Sequence, residues 1–129
     1  MREEILRGRD VLWNLAHDPA VRDLMRPPHG RYTESTLETA QELGYKVVLW
    51  TDDAGDWRTL PPATIERGML ERASAPDIVL LHSGKLATVE AVRAVIARFR
   101  AAGYRFVTAG ELLQRVEPQA INHPRRLSV

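Results

Sequence analysis

Cysteine is absent from the 129 residues, which excludes disulfides, thiolate nucleophiles and thiolate-held metals. Charge of one sign is also missing. Lys and Arg number 18 against 17 Asp and Glu, leaving +1, so there is no electrostatic case for nucleic acid or an anionic membrane as partner. No apolar run approaches bilayer length. The opening Met-Arg-Glu-Glu-Ile-Leu-Arg is charged and helix-like, unlike a signal peptide. With Met1 as the natural start, the expected location is the cytoplasm. Low-complexity runs, close repeats and domain-dividing linkers are lacking too. What remains is one domain's worth of chain, 44% apolar and 27% charged, as in soluble globular proteins.

Periodicity predicts an amphipathic helix over 2–16, carried by Ile5, Leu6, Leu12, Trp13 and Leu15. A short extended segment at about 22–26 follows. It runs into Arg26-Pro27-Pro28-His29-Gly30, where the prolines end regular structure and the glycine permits a sharp turn. Thr33 or Ser35 caps the next helix, which closes at Gly44. Tyr45-Lys46-Val47-Val48-Leu49-Trp50 reads as a buried strand, stopped by an acidic turn in which Asp52 and Asp53 are turn formers. A helix at about 63–73 and a strand at 78–81 precede His82-Ser83-Gly84. The clearest helix spans 87–102, with Val89, Val92, Val95, Ile96 and Phe99 as its buried stripe. A last strand at 104–107 and helix at 109–116 complete a domain over 1–117, and 118–129 is expected to be a loose tail.

Strands alternating with helices predict an α/β fold of about four parallel strands with outer helices. In such folds ligands gather at the carboxyl ends of the strands. Arg26, the Asp52–Trp57 turn, His82 and Thr108 all fall at that rim. Each has a plain alternative: a solvated arginine, a packing tryptophan, a satisfied structural histidine. Their shared placement favours a site.

These residues carry a resemblance. Arg26-Pro27-Pro28-His29-Gly30, Gly44-Tyr45 with the strand ending at Trp50, Asp56-Trp57 and Ile78-Val79-Leu80-Leu81-His82 resemble, in order and spacing, the third to fifth motifs of the polysaccharide deacetylases. Gly103-Tyr104-Arg105-Phe106-Val107-Thr108 with Glu111-Leu112-Leu113 is similar to that family's closing segment. The resemblance implies a partial (β/α) barrel, the C-terminal half of a metal-dependent carbohydrate esterase domain related to the nodulation deacetylase. It implies that His82 protonates the leaving group as the tetrahedral intermediate collapses, and that Asp56 stabilises the protonated imidazole. Arg26 would hold a catalytic-base aspartate, and the backbone N–H of His29 would contribute to an oxyanion hole. His29 stands where the family usually has tyrosine or phenylalanine. Trp57 and Pro28 would line the substrate groove, and Leu80 the pocket for the acetyl methyl.

The family's first two motifs, Thr-Phe-Asp-Asp-Gly-like and His-x-x-x-His-like, do not occur in the chain. They supply the base and the ligands of a divalent metal such as zinc or cobalt, so no metal ligand is assigned. The expected function is that of a deacetylase-like hydrolase acting on an N- or O-acetylated sugar, inactive alone. Two alternatives are a non-catalytic carbohydrate-binding or assembly module, and an unrelated α/β binding domain. A half-barrel has open sheet edges, so a homo-oligomer or a complementary N-terminal half is the expected partner.

Overall fold

The computed structural model describes residues 1–115, and the expected tail at 118–129 lies outside them. The chain divides into two compact units, 1–49 and the stretch from Trp50 onward.

In the first unit, α1 (Arg2–Ala16) ends at His17 in the left-handed conformation, whose N–H closes onto the Trp13 carbonyl. A single turn, α2 (Ala20–Asp23), packs beside it and lays the Arg22 guanidinium 3.9 Å from the Trp13 ring centre. β1 (Leu24–Met25) then delivers Arg26 to a tight turn over Pro28–Gly30. Thr33, rather than Ser35, caps α3 (Glu34–Glu42) and exchanges hydrogen bonds with Thr36 as a reciprocal box. Gly44 takes φ +81° just beyond, the left-handed residue that helix termination favours. β2 (Lys46–Val47) pairs parallel with β1, Leu24 opposite Lys46. Tyr45 is buried and donates its hydroxyl to the Val21 carbonyl at 3.0 Å.

The second unit owns the hydrophobic core. β3 (Asp52–Asp53) pairs parallel with β4 (Val79–Leu80), with Asp52 opposite Val79 and Asp53 opposite Leu80. α4 (Pro62–Arg72) carries Ile65 and Met69, and α5 (Leu86–Ala101) carries Ala91, Val95 and Phe99. These side chains and Ala54 form one cluster. α6 (Ala109–Arg115) opens on a second reciprocal box: the Thr108 backbone N–H donates to Glu111, whose own N–H donates to the Thr108 hydroxyl. Thr108 is therefore explained by capping. Among the described residues no helix is long and apolar enough to cross a membrane.

Four expectations change. The six-residue strand at 45–50 shrinks to two residues. Val48 adds one bond to the Met25 carbonyl, and pairing resumes at Thr51 and Asp52, whose N–H groups reach Ile78. Asp52 and Asp53 are thus strand residues, not turn formers. Arg72 offsets the Asp52 carboxylate at 2.7 Å and also donates to the Asp53 main-chain carbonyl at 3.1 Å, while the Asp53 carboxylate accepts the Gly55 N–H at 2.8 Å. No strand is assigned at 104–107. Propensity marked its aromatic residues, but a strand needs a paired neighbour. Tyr104 and Phe106 instead bring their rings against Phe99 at 5.1 and 6.3 Å. The buried stripe of α5 is also rotated: Thr88, Ala91, Val95 and Phe99 are buried, Val92 and Ile96 are half-buried, and Val89 is 51% exposed.

Candidate active site

Two loops of the second unit bring an acid and an imidazole together. Gly55, at φ +68°, turns the chain after β3, and Asp56, Trp57 and Arg58 form a single helical turn. A Cβ at Gly55 would lie 2.7 Å from the Arg58 side chain, so glycine suits both the backbone angle and the space. The other loop leaves β4 at Leu80 and reaches His82 two residues later.

Asp56 is the most buried acid described, 1% exposed. Its Oδ1 faces His82 Nδ1 at 2.8 Å, and its Oδ2 accepts the His82 backbone N–H at 2.8 Å. The same oxygen accepts the Thr88 hydroxyl at 2.8 Å. Burial pushes this carboxyl upward, but the bonds from the His82 ring, the His82 backbone and Thr88 together outweigh it. The net effect holds Asp56 below its ordinary value of 3.8. An ionised Asp56 accepts, so Nδ1 is the nitrogen that donates. The His82 side chain is 42% exposed, which leaves Nε2 as the atom for proton exchange with a ligand.

Trp57 is 54% exposed beside this pair. Its carbonyl accepts from Lys85 Nζ at 2.9 Å, and the Arg58 guanidinium lies 5.4 Å from its ring centre. Leu80 is buried in β4. Of the candidate residues, then, Asp56 and His82 are in direct contact, with Trp57 and Leu80 their chain neighbours in the same unit. Arg26, Pro28 and His29 belong to the first unit. There Arg26 and Pro28 are exposed, and His29 adopts φ 56° in the turn after Pro28. A positive φ is uncommon for histidine, and the residue itself is exposed.

Thr88 and Lys85 escaped the sequence reading. The signal for Thr88 was present: it sits three residues before Ala91 and seven before Val95, a hydroxyl inside an otherwise apolar stripe. Lys85 left no comparable trace. For a metal, three convergent side-chain ligands are required. Among the described residues no group of three His, Asp or Glu side chains could hold one. The donor set of the described residues does not by itself fit a hydrolytic cation, whereas the Asp56–His82 pair is arranged for proton transfer.

No protein-family model matches the sequence. Curated relatives do. A peptidoglycan-N-acetylglucosamine deacetylase of Bacillus cereus is 34% identical over 119 residues, covering 88% of this chain and 54% of the relative. The peptidoglycan-N-acetylglucosamine deacetylase PgdA of Listeria monocytogenes is 30% identical over 88 residues, covering 68% of this chain and 18% of that one. Among solved structures, a peptidoglycan N-acetylglucosamine deacetylase in complex with an N-hydroxybenzamide superposes with TM-score 0.80 at 28% identity, covering 88% and 54% of the two chains. A CE4 family pseudoenzyme from Bacillus anthracis shares the fold, with TM-score 0.68 at 23% identity over 88% of this chain and 41% of that one. The chain spans about half the length of the first of these relatives. Together the curated relatives and the solved structures support a polysaccharide deacetylase domain of the CE4 type, of which this chain covers part.

Proposed function

We propose that this chain supplies the acid side of a deacetylase site, working on an acetylated carbohydrate of the peptidoglycan N-acetylglucosamine type. The observation that carries the reading is the Asp56–His82 pair, a buried carboxylate gripping an exposed imidazole by ring and backbone together. Its placement after a parallel strand is where α/β folds gather ligands. Relatives named for this activity support the substrate class.

In this reading the chain is the C-terminal half of a (β/α) barrel. His82 Nε2 hands its proton to the leaving nitrogen or oxygen while the acetyl bond breaks, and Asp56 balances the imidazolium charge. Trp57 offers an exposed ring for a sugar face. Leu80 closes the pocket for the acetyl methyl. Pro28 borders the groove, His29 lends its backbone N–H to the developing oxyanion, and Arg26 orders the base. The family's divalent metal, zinc or cobalt, and the base come with the remaining half. That half is a complementary N-terminal segment; pairing with a second copy would cover the open sheet edges but would bring neither the metal nor the base.

Acetate release from an N-acetylglucosamine oligomer tests this. The isolated chain with added zinc or cobalt is expected to release none. The same chain joined to the N-terminal half of the Bacillus cereus relative is expected to release acetate, with a loss of at least 100-fold on His82→Ala and no loss of metal. Full activity in that variant, or zinc-dependent turnover by the isolated chain, would sink the assignment.

A second reading, a non-catalytic sugar-binding or assembly module, draws on the absence of a three-ligand cluster among the described residues together with the exposed Trp57. Calorimetry with the same oligomer distinguishes it: binding that is lost in Trp57→Ala, with no turnover in the joined protein, favours the module.

A further inference from the structure

We propose that Thr88 is a positioning residue for His82, acting through Asp56 to fix which imidazole nitrogen carries the proton. The inference rests on the reading of His82 as a proton donor, but it is argued from the geometry of Thr88 alone.

Threonine in a helix usually turns its hydroxyl back to the carbonyl four residues earlier. Thr39 in α3 does so, donating to Ser35 at 2.8 Å. Thr88 differs in place: it is the third residue of α5, the residue four back is Gly84 before the helix begins, and its hydroxyl reaches across to Asp56 Oδ2, also at 2.8 Å. It is 5% exposed and lies in line with Ala91, Val95 and Phe99. Packing there would accept valine, which has the same shape, so the hydroxyl needs a polar reason.

The reason is visible at the carboxylate. A carboxylate oxygen has room for about two strong donors. Oδ2 takes the Thr88 hydroxyl and the His82 N–H, leaving Oδ1 to the ring. Three separate pieces of chain, the turn at 56–58, the end of β4 and the first turn of α5, thereby lock the carboxylate plane. With that plane fixed, Nδ1–H is held on Oδ1 and Nε2 is presented outward. Without the hydroxyl the carboxylate can rotate about its χ2 bond, and the preference for the Nδ1–H form weakens.

The test reads the tautomer of the neutral His82 ring in this chain by long-range proton–nitrogen correlation spectroscopy, with His82→Gln identifying the signal. Wild type and Thr88→Ser are expected to show the Nδ1–H form alone. Thr88→Val and Thr88→Ala are expected to show a mixture, with the tautomer ratio reduced about tenfold, the scale of one lost hydrogen bond to a charged group. A wild-type ratio in either hydroxyl-free variant overturns the proposal. So does loss of fold in both with Thr88→Ser intact, since the hydroxyl would then serve packing alone. No turnover is needed, so an inactive joined protein would end the deacetylase reading while leaving this result standing.

Discussion

The two units spend their apolar residues differently. From Trp50 onward, Ala54, Ile65, Met69, Ala91, Val95 and Phe99 form a continuous core, and the buried Asp56 is held beside it. In residues 1–49, α1 has no buried residue at all, and only Ala40, Pro27 and Tyr45 are buried. A carboxylate can be kept ionised, dry and aimed only where surrounding side chains exclude water and supply donors. The unit with the core is therefore the one with an assembled acid. The first unit contributes a shaped backbone, the Pro-Pro turn, which needs little core because proline has already fixed the angles.

The sharpest way to break this contrast is to cut into the core. Ile65 is 1% exposed between α4 and its neighbours, so Ile65→Ala is expected to cost about 2–5 kcal/mol, read from the midpoint of urea unfolding. A cost below about 1 kcal/mol would mean the cluster is loosely packed.

Next comes Asp56. Removing it in Asp56→Ala strands a buried hydroxyl and a backbone donor, at about 2–4 kcal/mol. The pH dependence has a definite sign. Because the folded carboxyl titrates below its ordinary 3.8, its contribution is complete above that value and is lost as the pH falls through the lowered folded value. Wild type should therefore lose stability on acidification more steeply than Asp56→Ala. Parallel acid melts check it, and identical slopes would remove Asp56 from the account.

What could be read in the sequence divides along the same line. The helices were legible, because apolar periodicity and caps are local: α1, α3, α4 and α5 begin and end within a residue or two of expectation. Asp56 and His82 were legible as a pair only through their motif setting, since 26 residues separate them and no local rule links them. The strands were overcalled because pairing is a property of two segments. The run 45–50 has strand residues throughout but a ladder at only two of them, whereas Asp52 and Asp53 lack strand propensity and pair because Ile78 and its neighbours stand opposite. Arg72 was invisible as the cation that makes an acidic strand tolerable, and Thr88 was passed over as one polar residue among alanines and valines.

Tyr45 offers a smaller test, on the poorer side of the contrast. Its ring is buried and its hydroxyl bonds Val21, so Tyr45→Phe is expected to cost about 1 kcal/mol. Burial raises this phenol above its ordinary 10.0, with Arg9 and Arg22 pulling the other way and Asp10 and Asp23 adding to the rise. The neutral form is thus the favoured one. Its contribution is complete below pH 10.0 and fades as the pH rises through the raised value, so the advantage of wild type over Tyr45→Phe should narrow in an alkaline melt, the variant having no phenol to ionise.

The smallest effect is expected on α1, where the comparison is most exposed to contradiction. Leu15 is 77% exposed, and Val11 and Leu12 are more than half exposed as well. An exposed side chain has already given up its hydrophobic contribution, so Leu15→Ser should change stability by no more than about 0.5 kcal/mol. The helix itself keeps its capping bond from His17 and its contact with α2, neither of which involves the Leu15 side chain. Light scattering over a range of concentrations should accompany the melts. A loss of about 2 kcal/mol that grows with concentration would show that this face is covered by another copy in solution. A small change at every concentration would keep the contrast as drawn, with the core and the aimed acid both confined to the second unit.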